Sequence, residues 1–537
     1  MNKYGYFKYS DFAVGAKENA SYSADIELQE GSSLTQLRVG VEPYQYASLE
    51  LDDYVTSKPK KIYRTGELGL LTKATSDGNG NLPEAVVLTI SFTQYFSMTG
   101  ITINSRNIIK GITIQAFRDN TELVNKTFSA KEKNNFYDIP FEFANKLVLT
   151  ITKIDEPYHF LGIYGIEFGK LRIFDDTNII SAEISNYFSV LGDTLEYDTL
   201  DLRVVDPEKE DYLFQRKQPI DFIVNDQQNA RFYIDSGTEV DNNTLQVLAY
   251  DEISSLEDDF YGGMYENYPI NDLFADILRV TGIKYETQNT DDIVLNGYLP
   301  ISSRRKALQT ILQGSNIRCY KGEKLVFKPL DTQGLGIVLD EYNILDKPKK
   351  TKKQEIRSVT VKQKKYSKSK EEKELYKWYI STTENVVITF DSPAHSLKAY
   401  EVIGVDENDQ DIISETESEN VTFVENGVNY CVVSNTSSNK IVIKGLGYTE
   451  STVSYKKINP LISANEIYEE KTIELTISSN PKEVCDLLYS LYSRKNSITF
   501  KTLVDVTVGK NYRILGEYLN IKSKKQTLNG IYEVEAV

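Results

Sequence analysis

The sequence predicts a mainly β protein with minor α content, organised as several α+β and β domains. Its 537 residues exceed one typical domain of about 150 residues, so three or four domains are expected. Most of the chain consists of short segments in which apolar and polar residues alternate between Gly, Asn and Asp turns, which is typical of antiparallel strands. Only a few windows show apolar residues at helical spacing. With 40% apolar and 26% charged residues, the composition is that of a folded protein.

Residues 1–170 are predicted to form an N-terminal β-sandwich of the jelly-roll type. Helical periodicity is weak throughout this segment. Its clearest strands are predicted in AVVLTISFTQYFSMTGITINS, IIKGITIQAFR, KLVLTITKI and LGIYGIEFG. The order of these strands resembles that of carbohydrate-binding jelly rolls of the discoidin type.

Residues 171–346 are predicted to mix antiparallel strands with two helices. The first helix lies in YPINDLFADILRVTGI, with Asn271 as its expected cap. The second lies in GYLPISSRRKALQTIL, where Ser302 and Ser303 supply a hydroxyl cap. Both segments carry apolar residues at helical spacing, which predicts that each helix buries one face.

Residues 347–457 and 458–537 complete the predicted division. The first of these segments is strand-rich, is a candidate inserted domain, and opens with a Lys-rich stretch around IRSVTVKQ. This stretch is interpreted as an exposed edge strand running into a mobile hairpin, although Lys residues could also bind a phosphate polymer. The last segment is predicted to hold one helix, with Pro481 in its first turn, and a final hairpin turning at Asn529-Gly530.

Composition narrows the functional classes. A formal charge of -17 argues against a general nucleic-acid binder, because such proteins present a basic face. The three cysteines are far apart, which fits neither a disulfide framework nor a zinc site and suggests a reducing compartment. No membrane span, signal peptide or cofactor is expected, since no apolar run has the required length. The 37 tyrosines suit β-sheets and assembly interfaces.

The sequence contains no evident catalytic constellation. His159 and His395 fall in different predicted domains, and neither neighbours a Ser or Cys motif. Adjacent carboxylates occur at 175–176, 257–259 and 291–292, but in an acidic chain these are expected to be solvated loops. Glycan hydrolysis would require two carboxyl groups held across a cleft, which spacing alone does not predict. The chain is therefore expected not to be an enzyme.

Two turns have the oxygen-rich spacing that calcium requires. The first offers Asp77, Asn79, Asn81 and Glu84, and the second offers Asp406, Asn408 and Glu417. The second has no Gly at the sixth loop position. Plain hairpin turns are the simpler interpretation of both, so no metal site is assigned.

Several segments together resemble tail proteins from prophages of Gram-positive bacteria. The similar segments include GYLPISSRRKALQTIL, GIEFGKLRIFDDTNIISAEI, DTLDLRVVD, QRKQPIDFIV, RFYIDSG and NTLQVLAYDEISSLEDDFYGGMY, in the same order and spacing. The resemblance is good over 168–346 and weaker from 455 to the end. It is a resemblance to the baseplate hub, a ring protein that joins the tail tube to the spike.

This resemblance implies a structural role in a virion or a tail-like particle such as a contractile bacteriocin, made in the bacterial cytoplasm. Hub proteins are trimers with two tube-like β-barrel domains per subunit, so hub-type barrels are expected after the N-terminal sandwich. The implied partners are tube, spike, wedge and fibre-attachment proteins. The N-terminal sandwich departs from the simplest hubs, and could hold fibres, contact other baseplate proteins or touch a surface glycan.

The cationic triplet Arg304, Arg305 and Lys306 is the one candidate assembly site. It occupies the first turn of a predicted helix, where the helix dipole favours anions by about 0.3–1 kcal/mol each. The arginines could pair with carboxylates of a neighbouring subunit, since Arg forms bidentate bonds to carboxylates. The alternative is a pair within the chain, with the DDFYGG or TDD loop.

A glycan-binding adhesion module is the alternative function. In that case the sandwich would bind a bacterial cell-wall sugar, and the rest of the chain would be its mount. The expected discriminator is an aromatic platform, for which Tyr95, Phe96, Tyr158 and Phe160 are candidates. The same residues would otherwise fill the core of the sandwich.

Overall fold

The structure, a computed structural model, describes most of the chain. The described residues are 5–29, 32–38, 69–206, 212–224, 227–241, 243–322, 324–330, 337–340, 342–345, 348–353, 355–407, 410–462, 468–494, 496–502, 504, 506, 509–519, 525–534 and 536. They form a β-dominated, multidomain fold, as the alternating sequence pattern predicts. Two compact units are present: 1–183 with 199–251, and 184–198 with 252–537. The four-segment division made from the sequence stays a prediction.

The first unit contains fourteen described strands and one short α-helix. They are β1 (Gly5–Phe12), α1 (Ala16–Asn19), β2 (Ser21–Asp25), β3 (Leu70–Thr75), β4 (Asn81–Ser105), β5 (Ile109–Arg118), β6 (Thr121–Phe128), β7 (Asn134–Ile154), β8 (Phe160–Glu167), β9 (Gly169–Phe174), β10 (Ile179–Ser185), β11 (Thr199–Val205), β12 (Pro219–Val224), β13 (Gln227–Asp241) and β14 (Thr244–Tyr250).

Strands β2–β8 form a folded-over sheet, and two long strands, β4 and β7, run through both of its layers. Residues 87–91 of β4 pair with β2 and with 146–150 of β7, whereas 102–104 pair with β8 and with 134–136 of β7. The register shifts several times between these two halves, and such bulges bend a strand. Alternate apolar residues of both halves enter one core, among them Leu88, Ile90, Ile101 and Ile103. The result is a two-layered sandwich.

Strands β9–β14 form a second antiparallel sheet with β1 in the order β10-β11-β14-β13-β12-β1-β9. The first strand of the chain therefore belongs to this sheet, where it pairs on one side with β12 and on the other with β9. The sequence analysis placed residues 5–12 in the N-terminal segment and named no strand there, and alternation of apolar residues does not identify the neighbours of a strand. In the described residues the two edges of the sheet are β9 and β10.

A buried polar network fixes β1 in the second sheet. Asp11 is fully buried and accepts a hydrogen bond from Arg172 Nε at 3.0 Å and one from the Tyr9 hydroxyl at 3.0 Å. Gln218, also fully buried, donates to Asp11 at 3.1 Å and to the carbonyl of Phe12 at 3.0 Å. Burial, followed by the neighbouring Asp11, raises the pKa of Tyr9, so its hydroxyl stays protonated and donates.

The second unit contains three α-helices and twenty-one strands in its described part. They are β15 (Asp259–Phe260), β16 (Gly263–Pro269), α2 (Ile270–Leu278), β17 (Tyr285–Thr287), β18 (Val294–Leu299), β19 (Ser302–Ser303), α3 (Arg304–Ser315), β20 (Ile317–Tyr320), β21 (Leu325–Pro329), β22 (Ile337–Leu339), β23 (Lys349–Lys352), β24 (Ile356–Tyr379), β25 (Val386–Thr389), β26 (Ala394–Val405), β27 (Asp411–Ile413), β28 (Val421–Asn426), β29 (Tyr430–Asn435), β30 (Lys440–Ile458), β31 (Glu469–Leu475), β32 (Ile477–Ser478), α4 (Pro481–Tyr492), β33 (Asn496–Thr499), β34 (Asn511–Leu519) and β35 (Lys525–Glu533).

Helices α2 and α3 bury their apolar faces in one core. Leu273, Phe274 and Ile277 of α2 meet Leu308 and Ile311 of α3 in this cluster, as the helical spacing predicts. The predicted cap of α2 is wrong, because the helix begins one residue before Asn271 and Pro269 occupies the cap position. The Asn271 side chain instead accepts from Thr290 at 2.7 Å and donates to Asp291 at 2.9 Å.

Strands β24 and β30 are long enough to serve two cores. Near the start of β24, Val359 and Val361 pack with Val484 and Leu488 of α4. Near its end, Leu375 and Tyr376 pack with residues of β25, β28 and β29 in a separate small core. The segment between 377 and 457 is thus joined to the rest of the unit by two continuous strands.

The edge-strand interpretation of the Lys-rich stretch is wrong for 356–363. This part of β24 lies between β30, which it pairs with antiparallel, and β31, which it pairs with in parallel. From 364 onward, the described residues of β24 pair with β30 alone. Internal strands are usually more apolar, and lysine on the flanking positions obscured this one.

The C-terminal elements confirm one prediction and correct another. Helix α4 begins with Pro481 after the cap Asn480, whose side chain accepts from the backbone of Lys482 and Glu483. The final hairpin exists as β34 and β35, but Asn529 and Gly530 lie inside β35, opposite Leu515 and Ile514. Leu519 pairs with Lys525, so in the described residues the pairing of β34 with β35 continues on both sides of this dipeptide. The favourable turn dipeptide was overridden by strand pairing.

Candidate functional site

The cationic triplet lies in the first turn of α3, as predicted. The Ser303 hydroxyl caps the helix by accepting a hydrogen bond from the Lys306 backbone at 3.3 Å. This turn contains no acidic residue. The helix dipole is therefore opposed by three cations, and the structure gives each of them a different environment.

Both arginines find partners within the second unit. The Arg305 Nε donates to Glu257 at 2.6 Å, and its guanidinium lies 5.4 Å from the Tyr197 ring. Glu257 directly precedes the DDFYGG loop. This ion pair is therefore of the type expected if the arginines pair within the chain. Arg304 donates to the carbonyl of Ile277 in the last turn of α2, which is a favourable place for a cation.

Lys306 differs from the arginines because it points outward. Its side chain is exposed and forms no ion pair within the described part of the chain. Of the three predicted assembly residues, it alone is available to a neighbouring molecule without breaking a contact seen here. The assembly role of the triplet stays a prediction.

The four aromatic candidates do not form one platform. Tyr95 lies where β4 bends, near the register pair Phe96–Ala144, whereas Tyr158 and Phe160 follow the far end of β7 beyond Ile154. The distance along β7 between these places is about ten residues, or roughly 33 Å in a strand. Phe96 packs against the sandwich core, which agrees with the alternative that these aromatic residues fill the core.

A different aromatic residue, Phe143, accompanies Tyr95. We call Tyr95, Arg118, Asp119, Phe143 and Asn145 the corner surface, because they surround the bend of β4 and β7. The Tyr95 hydroxyl donates to Asp119 at 3.0 Å, and Asn145 donates to the same carboxylate at 3.0 Å. Arg118 donates to the carbonyls of Glu142 and Phe143 at 3.0 and 3.1 Å. The sequence analysis missed Phe143, which stands two residues after the buried Phe141, so strand alternation would place its side chain in the core.

The predicted calcium turns use their oxygens internally. Asp77 accepts from the backbone of Asn79 and Asn81, both at 2.8 Å, and bonds to Asn81 lower the pKa of its carboxyl. In the second turn, Glu417 pairs with Lys398, while Asn408 lies outside the described residues. Among the residues described, no group of three His, Cys, Asp or Glu side chains has a metal-binding arrangement.

The histidines and cysteines lie apart from one another. His159 shares a hydrogen bond with the Pro157 carbonyl in the first unit, and His395 shares one with the Ser396 hydroxyl in the second. All three cysteines are buried and reduced, and burial raises the pKa of Cys431 to about 12. Such thiols are poor nucleophiles at neutral pH.

In the described part of the chain, no helix is both long and apolar enough to cross a membrane.

Glu401 is a half-buried carboxyl whose pKa lies well below its ordinary value. It accepts hydrogen bonds from four side chains, at distances between 2.7 and 3.0 Å, namely Ser418, Asn420, Ser437 and Asn439. These bonds, led by that from Ser418, lower the pKa of Glu401 to about 2. The cluster ties two loops to β26, which makes it a structural feature of this region.

Comparisons with known proteins give only partial structural similarity. No protein-family model matches the sequence, and no curated protein matches it. A prophage tail protein from Listeria monocytogenes is 9% identical, with a TM-score of 0.36, over 68% of this chain and 86% of that one. A tail protein from Neisseria meningitidis is 9% identical, with a TM-score of 0.37, over 66% and 85%.

The chain is also partly similar to a chitosan-binding module from a Paenibacillus chitosanase/glucanase. This similarity has 13% identity and a TM-score of 0.18, over 29% of this chain and 95% of the module. All three TM-scores are below 0.5, so these similarities carry no conclusion about activity or partners. Function is argued below from the residues and their arrangement.

Proposed function

We propose that this chain is a non-enzymatic structural component of a phage tail or a phage-tail-like particle. Within that class it would act as a hub-like baseplate protein that joins tube, spike and receptor-binding parts, as a homotrimer. The observation that supports this proposal is where the tail-like sequence segments lie. From GKLRIF to NTLQVLAY they supply β9–β14 of the second sheet, while β1 completes it.

This sheet is suited to association because, among the residues that the structure describes, each of its two outer strands has an unpaired edge. Within the described residues, β9 is paired only with β1, and β10 only with β11. Leu171 and Ile173 of β9 and Ile180 of β10 are exposed. Unpaired strand edges with apolar side chains are templates for pairing with another chain. A β9 edge that met a β10 edge on the next copy would generate a head-to-tail ring.

Mass in solution tests the proposal. Light scattering on a sizing column, from about 1 to 100 µM, is expected to show trimers or their appearance with concentration. Ile173→Lys and Ile180→Lys should leave a folded monomer, because lysine on an edge strand opposes pairing. Val280→Lys, at an exposed site outside this sheet, is the matched control and should still assemble.

Two outcomes would count against the proposal. A strict monomer over the whole concentration range would contradict the trimeric hub and favour a peripheral baseplate mount. Loss of turbidity from a suspension of bacterial cell walls would contradict a non-enzymatic role. Co-assembly with tube and spike proteins of the same particle would be the next measurement after a trimer is found.

A further inference from the structure

Residues 372–446 form a small lobe of the second unit that has a core of its own. Its described part consists of the last part of β24, the first part of β30, and β25–β29. Cys431, Val433 and Ile441 are buried in this core, which is a separate cluster from the one around α4 and from the one that α2 and α3 share. The lobe therefore packs around its own apolar side chains, which allows it to move as one piece. We call the rest of the second unit the body.

The two strands that carry the lobe are irregular where they enter it. Their register shifts between Lys368 and Glu372 of β24, and here residues 369–371 face the single residue Gly447 of β30. A bulge of this kind disrupts the ladder locally and bends the strand. Gly447 has no side chain to pack against its neighbours, which weakens a strand further. Since hinges are formed by a few residues that absorb a change in backbone angles, the bulge is the place where the lobe can turn.

One loop of the lobe docks on the body. The loop between β28 and β29 carries Asn429, which is 1% exposed. Its amide donates to the carbonyl of Tyr261 at 2.7 Å and to that of Leu299 at 3.2 Å. Beside it, the rings of Tyr430 and Tyr261 stack with 4.4 Å between their centres. We call Asn429 and Tyr430, together with Tyr261 and Leu299, the latch, because they join the lobe to the body.

The same loop is firmly attached to the lobe. The backbone of Phe390 donates to the carbonyl of Asn429 at 2.7 Å, and the backbone of Ala394 donates to the carbonyl of Val428 at 2.9 Å. Phe390 is itself buried in the core of the lobe. A movement that separates Asn429 from the body must therefore carry the lobe with it.

The latch leaves one buried group without a partner. The side-chain oxygen of Asn429 is buried and accepts no hydrogen bond from the described residues. A buried acceptor without a partner is unfavourable, and opening the latch would expose it to water. The two amide hydrogen bonds and the ring stack instead favour the docked lobe. Because these effects oppose one another and are of similar size, the docked and released positions are expected to lie close in free energy.

We propose that the small lobe is a hinged element that exchanges between a docked and a released position. The latch holds it against the body, and the bulge between Lys368 and Glu372 is the hinge about which it turns. Release would free Tyr261, Asn429 and Tyr430 for contact with another molecule. A partner that binds the released lobe more tightly than the docked one would hold it open. This inference rests on the second unit alone and does not depend on the tail proposal.

The distance between two spin labels tests the proposal on the full chain. One label is attached to Val280→Cys, at an exposed site of the body, and the other to Glu384→Cys, at an exposed site of the lobe. The three native cysteines are buried, so labelling is directed to the new ones. Electron paramagnetic resonance is expected to show two distances between the labels. Asn429→Ala removes both amide donors and should raise the ratio of released to docked molecules about tenfold or more.

Two further variants show whether the lobe moves or unfolds. Tyr261→Ala removes the ring stack from the side of the body and should shift the ratio in the same direction. Asn435→Ala is the matched control, because Asn435 is another buried amide that donates twice, at 2.9 and 2.8 Å, but to carbonyls within the lobe. This control should lower the stability of the lobe and leave the two distances in their wild-type ratio.

Hydrogen exchange of β26 and β30 should stay slow in Asn429→Ala, since a released lobe keeps its core. A single distance common to the wild type, Asn429→Ala and Tyr261→Ala would overturn the proposal. An equal shift in Asn435→Ala, or fast exchange in β30 of Asn429→Ala, would also overturn it, because each result would identify local unfolding instead of a hinged movement.

Discussion

At the scale of single residues, many of the described charged side chains form specific ion pairs and hydrogen bonds with near neighbours. The buried ion pair of Asp11 and Arg172 is the clearest case. It joins β1 to β9, two strands that are more than 150 residues apart in the sequence. Arg172 also stacks on Tyr212, with 3.9 Å between guanidinium and ring centre. Burying two charges is costly, and a pair of this kind fixes one arrangement rather than adding much stability.

Removing one partner of this pair should strongly lower the free energy of unfolding. Arg172→Met would leave the Asp11 charge buried beside dipoles alone, and a loss of about 3–5 kcal/mol in the free energy of unfolding is expected. Arg231→Met, which breaks the exposed pair with Asp221, should cost less than about 1 kcal/mol. Urea unfolding of both variants measures the difference. Equal losses would show that burial of Asp11 does not control the stability of this sheet.

Glu401 should make the stability of its region depend on pH. Its pKa of about 2 in the folded state lies below the ordinary value of 4.5, so the unfolded state binds the proton more readily. The stabilisation is complete above pH 4.5 and is lost as pH falls toward 2. Glu401→Gln should therefore lower the melting temperature at pH 7, and this deficit should shrink by pH 3. Glu407→Gln, at an exposed position, is the control. A deficit independent of pH would contradict an electrostatic origin.

At the scale of elements, sequence periodicity predicted the helices, which depend on nearby residues. It did not predict which strands pair with one another, because paired strands can be far apart in the sequence. The helices α2, α3 and α4 were foreseen because apolar spacing is encoded within a dozen positions, and the caps of α3 and α4 were local enough to predict whereas that of α2 was not. The neighbours of β1 were not, because its partners β9 and β12 lie more than 150 residues away. The Asn529-Gly530 turn failed for the same reason, since pairing with β34 decided the register. Similarly, Tyr95 was a candidate, whereas Phe143 required knowledge of the bend.

The first turn of α3 offers a test of whether its charge serves assembly. Lys306→Glu replaces an exposed cation with an anion at the positive end of the helix dipole, and a gain of about 0.3–1 kcal/mol in stability is expected. Lys306→Gln should give a smaller gain, while Ser303→Ala should cost about 0.5–2 kcal/mol through loss of the cap. Urea unfolding measures all three variants.

The mass of the same variants separates the two interpretations of the triplet. If Lys306 serves an interface with acidic groups of a neighbour, Lys306→Glu becomes more stable and yet fails to form trimers. If the residue has no such role, the variant gains stability and assembles normally. A loss of stability would contradict the dipole argument itself.

At the scale of the whole molecule, the groups that could contact another molecule lie on surfaces and at sheet edges. The buried polar groups of the described residues, such as Asp11 and Gln218, are engaged in fixing strands. Three cysteines are sequestered in cores. The exposed apolar side chains of the described residues include Leu171, Ile173 and Ile180 at the two sheet edges and the two aromatic residues of the corner surface. This distribution suits a protein that acts by association.

Salt should promote the proposed association. Each copy has a formal charge of -17, so copies repel one another at pH 7. The screening length falls from about 30 Å at 0.01 M salt to about 8 Å at 0.15 M. If apolar sheet edges hold the ring, the trimer fraction at fixed protein concentration should rise between 10 and 150 mM NaCl. Near pH 5, close to the isoelectric point of about 4.9, this dependence should vanish. Dissociation on adding salt would instead identify ion pairs as the main contacts, and would return attention to Lys306.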